Sequence, residues 1–234
     1  FGGKDISISL DSLKQKTQDF INGGFELSWN RALKTMALFM KYLPKKDSFA
    51  SLGCVLQPDN LDDIENVIKF GSKSSWYTSL VPIHVTENSK PMGFRTFDLS
   101  LKFNPEHYEK VDRLIERVRS MRKEGYLLYD SDQYLDDIKL FTKGLPTNWR
   151  RKNDNVCDSP NLYFALLPNG EIAPCCDHRI DKSIPAYDDN FPEIYHSKTL
   201  RNLMLEKTSK CEGCMYGSYP EMSISMRYLQ AKLQ

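Results

Sequence analysis

Residues 155–179 read NVCDSPNLYFALLPNGEIAPCCDHR, and residues 210–217 read KCEGCMYG. Together they hold five of the six cysteines in a chain of 234 residues. Two apolar runs, 162–167 and 171–175, flank Pro168, Asn169 and Gly170. Asn-Gly between apolar strands predicts a β-hairpin with a tight primed turn, because that turn requires positive φ. Antiparallel pairing then sets Cys157, ahead of the hairpin, beside Cys175 at the end of its second strand. Cys211 and Cys214 form a C-x-x-C knuckle whose sulfurs face one ion or one cluster corner. Four thiolates converge, and tetrahedral sulfur suits both Zn²⁺ and iron–sulfur clusters. Spacing alone leaves both readings open. Zinc ribbons usually bring two C-x-x-C knuckles where this chain has one, and the long first gap leaves room for a cluster.

Cys176 follows a ligand along the same strand, so its side chain faces the other way. It is read either as a packing residue or as a thiol near an active site. Cys54 lies in the apolar run FASLGCVL and is read as core. Three disulfides belong to small secreted domains without a core. This chain is long enough to bury one, and clustered thiols point to ligands in a reducing compartment, the cytoplasm. Hydrophobic residues at 40%, charged residues at 27% and a net charge of +1 are ordinary for a soluble globular protein. Nothing in that balance calls for nucleic acid or an anionic membrane. No apolar run approaches the roughly 20 residues of a membrane span.

Working toward the N-terminus, the pattern changes near residue 148, where WRRKND reads as a charged hinge. Before it, 5–10, 49–56 and 76–85 read as strands, the second as a strand covered on both faces. Helices are expected over 29–42, where Pro44 ends the run, and over 61–70. Strand–helix alternation of this kind predicts parallel βα units. Asn104 and Pro105 read as the cap and first residue of a helix faced by Val111, Leu114, Ile115 and Val118 and closed by Gly125. YLLY at 126–129 reads as a short strand, 134–141 as a helix, and 197–206 as another. The chain opens on Phe1 and runs almost at once into a strand pattern, which reads as a fragment or processed product.

CDSPNLYFALLPNGEIAPCC, then EIYHSKTLRNLM, then CEGC, resembles the auxiliary-cluster module of radical S-adenosylmethionine (SAM) enzymes, the SPASM/twitch group. The order of features is the same: a Cys, a hairpin with a dG-x-v-x-PC turn, a helix, and a C-x-x-C. No cysteine follows Cys214, so the resemblance is to the shorter twitch form. It implies one auxiliary [4Fe-4S] cluster on Cys157, Cys175, Cys211 and Cys214. DISISLDSLKQKTQDFINGG, GCVLQPDNLDDIENVIKF and WYTSLVPIHV resemble the fourth, fifth and sixth strands of the radical SAM barrel. The implied fold class is α/β: the C-terminal part of a partial (β/α)6 barrel over 1–148, then a small α+β twitch-like domain with a β-hairpin over 149–234.

The resemblance assigns SAM contacts to Ser9 and to Pro82 near the end of the sixth strand. Asn22 stands where the family often has a basic residue. The C-x-x-x-C-x-x-C that holds the SAM-cleaving cluster does not occur in this sequence, so SAM and a second [4Fe-4S] cluster are implied for the intact enzyme, along with a reductant protein. The implied function is radical oxidation or modification of a peptide or small-molecule substrate. A non-catalytic module that binds zinc or a cluster on four cysteines, for partner recognition, is the alternative. His84, at a strand end, is read as a catalytic group at the barrel mouth or a structural one. Asp177 is read as a proton acceptor or a solvated loop carboxylate. His178, Arg179, Trp149 and Arg150 have no assignment beyond proximity.

Overall fold

The computed structural model describes residues 3–84, 99–151, 164–175, 178–209 and 214–215. The chain divides into two compact units, one of residues 1–84 and 100–144 and one of residues 85–99 and 145–234.

In the first unit, β1 (Asp5–Ser9), β2 (Phe49–Leu56) and β3 (Tyr77–Pro82) form a parallel sheet in that order. Ile6 pairs with Ala50, and Leu52 with Thr78. Helices make the crossovers that parallel pairing requires: α1 (Gln15–Ile21) and α2 (Ser28–Tyr42) before β2, and α3 (Ile64–Lys73) before β3. The central strand buries Leu52, Cys54 and Leu56 completely, but Gly53 and Val55, which face the other way, are only half-buried, so it is fully covered on one face and not on both as its apolar run predicts. α3 packs so closely on the sheet that a Cβ at Gly71 would stand 2.8 Å from the Thr78 hydroxyl and 3.2 Å from a Leu52 methyl. Only glycine fits there.

α4 (Pro105–Lys123) and α5 (Asp132–Thr142) complete the unit. α4 starts where Asn104-Pro105 directs it, with His107 Nδ1 accepting the Asn104 N–H at 3.0 Å. Val111, Ile115 and Val118 are fully buried, and Gly125 ends the run at φ +94°. The strand expected at 126–129 contributes only one parallel bridge, Leu128 with Thr78. Asp130 is the reason. Its carboxylate accepts the Leu80 N–H and the Ser79 hydroxyl, each at 2.7 Å, so it takes the amide that the next rung of the ladder would use. Among the described residues the sheet is open, and a partial (β/α)6 barrel is not evident.

In the second unit, the segment read as a hinge begins with a short helix, α6 (Asn148–Arg151), whose Trp149 is buried. β4 (Ala165–Leu166) and β5 (Ile172–Ala173) pair antiparallel, Leu166 opposite Ile172. The hairpin forms, but not with the primed turn the sequence predicts. Gly170 N–H donates to Leu167 O at 2.9 Å and Leu167 N–H to Glu171 O at 2.8 Å, which closes a three-residue loop. Gly170 alone takes positive φ, +80°. Pro168 explains this: a two-residue turn on Asn169-Gly170 needs an N–H from residue 168 to close the ladder, which proline lacks, so Leu167 N–H takes Glu171 O instead. Residues 184–186 lie along the other edge of β5, with Ile172 N–H donating to Ile184 O at 2.9 Å. α7 (Phe191–Tyr195) and α8 (Lys198–Ser209) follow. Ile172, Ile184, Leu200 and Met204 form a small core, edged by Phe164, Phe191 and Tyr195. No helix among the described residues is long and apolar enough to cross a membrane.

Candidate metal centre

Two of the four expected ligands are described. Cys175 stands two residues beyond β5. Its sulfur accepts the His178 N–H at 3.3 Å. Arg179 ties the same two residues together, its Nη1 donating to Cys175 O at 3.3 Å and to His178 O at 2.9 Å. Cys214 is held from another direction, for the Trp149 indole N–H donates to Cys214 O at 3.0 Å. The next residue, Met215, is fully buried. Both cysteines are half-buried.

Cys157 and Cys211 lie outside the described residues, as do Cys176 and Asp177. Among the described residues no three His, Cys, Asp or Glu side chains form a metal-holding group. What is described fits a thiolate-bound metal or cluster. A half-buried sulfur receiving a backbone N–H is stabilised as an anion, and such bonds to sulfur set the properties of iron–sulfur clusters. Sequence reasoning passed over His178, Arg179 and Trp149. A basic residue four positions after a ligand Cys, and a lone Trp just before the module, were the available signals.

The first unit collects a different set of polar groups after β1. Ser9 ends β1 and is exposed. Pro82 ends β3 and is buried. Asn22 caps the far end of α1, its side-chain amide donating to Gln18 O at 2.9 Å. His84 packs its ring against Phe141, centroids 4.9 Å apart. Cys54 is wholly buried, as a core residue should be, and burial pushes its thiol well up.

The loop after β1 is tied down from two sides. Gln18 Oε1 accepts the Asp11 and Ser12 N–H groups at 2.8 and 2.9 Å. Asp11 Oδ1 accepts the Val55 N–H at 2.7 Å, and Asn60 donates to the Asp11 carbonyl at 2.8 Å. Asp63 Oδ2 accepts from the Ser12 hydroxyl and the Leu13 N–H, each at 2.6 Å. The two carboxyls respond oppositely. Burial raises Asp11 despite the Val55 and Gln18 bonds. Burial also works to raise Asp63, but the bonds from Asn66, Ser12, Leu13 and Lys14 together outweigh it and hold that carboxyl below the usual range.

No curated protein matches the chain. Residues 157–215 match the SPASM family, an iron-sulfur cluster-binding domain. The match opens on Cys157 and closes one residue past Cys214, so it takes in all four cysteines singled out by their spacing. That part of the chain is similar to an iron–sulfur cluster-binding domain of the kind typical of radical SAM enzymes.

Proposed function

We propose that the chain is the C-terminal portion of a radical SAM enzyme of the SPASM/twitch group, holding one auxiliary [4Fe-4S] cluster on Cys157, Cys175, Cys211 and Cys214. In this reading residues 1–148 are the later part of the partial barrel and residues 149–234 the cluster domain. The observation that carries it is the family match framed by Cys157 and Cys214, supported by the amide of His178 on the Cys175 sulfur. When bound, such a cluster supplies one-electron chemistry to the oxidation or modification of a peptide or small-molecule substrate. Four cysteines occupy all its iron sites, which suits electron transfer better than direct binding of substrate.

The chain's own residues have simpler tasks. Cys175 and Cys214 bind, the His178 amide and the Trp149 indole orient them, and Met215 keeps water from one side. Ser9 and Pro82 stand at the carboxyl ends of parallel strands, the edge at which open α/β sheets take ligands. That placement supports SAM contacts there, with Asn22 beside them in the family pattern. Asp177 is assigned as a proton acceptor for the substrate. His84, with its ring on Phe141, fits a packing role better than a catalytic one. SAM, the second [4Fe-4S] cluster and a reductant protein complete the intact enzyme, in the reducing cytoplasm.

Anaerobic purification followed by metal and sulfide analysis tests the proposal. It expects about four irons and four sulfides per chain. Stoichiometric zinc without iron overturns it and leaves a non-catalytic zinc module.

A further inference from the structure

Two side chains outside the ligand set hold the two described ligand cysteines by their carbonyls. Trp149 is neutral and buried, and its indole N–H holds Cys214. Arg179 is half-buried and carries a permanent positive charge, and it holds both Cys175 and His178. The second arrangement has a consequence that the first lacks. The two bonds from Arg179 Nη1 hold the carbonyls of Cys175 and His178, and the His178 N–H donates to the Cys175 sulfur. Arg179 therefore links the two residues that make the N–H···S bond while placing a guanidinium beside the ligand residue.

Both effects act on the electron count of whatever the sulfur binds. Reduction adds negative charge to an iron–sulfur cluster, and a nearby cation or a hydrogen bond to sulfur favours the reduced form. Resting on the cluster reading above, we propose that Arg179 is a positioning residue that raises the reduction potential of the auxiliary cluster. It does so by locking the His178 amide onto Cys175 and by its own charge. Trp149 has the geometry of a purely structural clamp and serves as the control.

The test uses the full chain, reconstituted with iron and sulfide, in four forms: wild type, Arg179→Gln, Arg179→Lys and Trp149→Phe. The readouts are iron per chain and the midpoint potential from an anaerobic titration followed by visible absorbance and electron paramagnetic resonance. Arg179→Gln is expected to keep wild-type iron while its one-electron equilibrium shifts about tenfold toward the oxidised form, a fall of about 59 mV. Arg179→Lys keeps the charge but loses the planar guanidinium that fixes the directions of the two Nη1 hydrogens, so its shift is expected to be smaller and in the same direction. Trp149→Phe is expected to lose iron before it changes potential. An unchanged potential in Arg179→Gln at full iron content overturns the proposal. Loss of iron in Arg179→Gln also overturns it and reduces Arg179 to a folding role. Wild-type chain that takes zinc and no iron overturns the cluster reading itself, a result distinct from either.

Discussion

The two units stand on different foundations. The first buries one face of a sheet against helices: Leu52, Leu56, Ile64, Ile68 and Ile115 are all withdrawn from water, and each is worth about 1.5–3 kcal/mol. The second, among its described residues, gathers only Ile172, Ile184, Leu200 and Met204 into a core, around strands of two residues each. A core of that size gains from a further tie. In the proposed reading a metal centre supplies that tie, since binding free energy at a site absent from the unfolded chain is also folding free energy. In that reading one unit is held by packing alone, the other by packing and ligation together.

The largest expected effect breaks the second unit alone. Cys175→Ala should reduce bound iron from about four per chain to well under one and open the second unit to limited proteolysis, while the first unit remains resistant. Cleavage of both units together would refute their independence.

Ile115→Ala is the complementary lesion. It removes a fully buried side chain of α4 and should cost about 2–5 kcal/mol, read by urea unfolding as a lower midpoint. Iron content should not change. Coupled loss of iron would show that the sheet unit supports the cluster unit.

Asp63 gives the first unit an acid sensitivity. Its native carboxyl titrates below the usual range, so it contributes stability above its unfolded pKa and loses that contribution as pH falls through the native value. Asp63→Ala leaves the Ser12 hydroxyl and Leu13 N–H without their acceptor and should cost about 1–3 kcal/mol at neutral pH. The gap from wild type should narrow as pH falls through the native pKa of Asp63. A gap that stayed constant with pH would assign the loss to packing instead. Asp11 works in the opposite sense. Its raised pKa makes its ionised form a cost to the fold above that value, a cost that disappears on protonation.

The smallest effect probes the hairpin. Gly170→Ala places a Cβ at φ +80° and 2.9 Å from the ring of Tyr187. Tyr187 is exposed and can swing away, so the left-handed backbone remains as the cost, about 1 kcal/mol. A fall in thermal midpoint without loss of iron is the expected reading.

Periodicity made the first unit legible. The alternation of DISIS, the unbroken apolar run of β2 and the Asn104-Pro105 start of α4 each follow from local rules. What those rules did not reveal was set by long-range partners. YLLY has strand composition, yet Asp130 diverts the amide that a further rung needs. The primed turn expected from Asn169-Gly170 was displaced by the neighbouring Pro168. In the candidate site, cysteine spacing marked the ligands because thiolate chemistry restricts residue type. The hydrogen bonds of Arg179 and Trp149 were not legible, because carbonyl acceptors occur at every position and leave no mark in a sequence.

The loop after β1 carries a consequence for anyone who would rebuild this protein. Asp11 is bound to Val55 and Asn60, and Ser12 and Leu13 to Asp63, so two successive βα units share one set of hydrogen bonds. A chimaera that exchanges either unit by itself will leave carboxylates and amides facing strangers. Segments 5–18 and 49–63 must be transplanted as a pair, and the natural seam for shuffling falls after α3 rather than after α2.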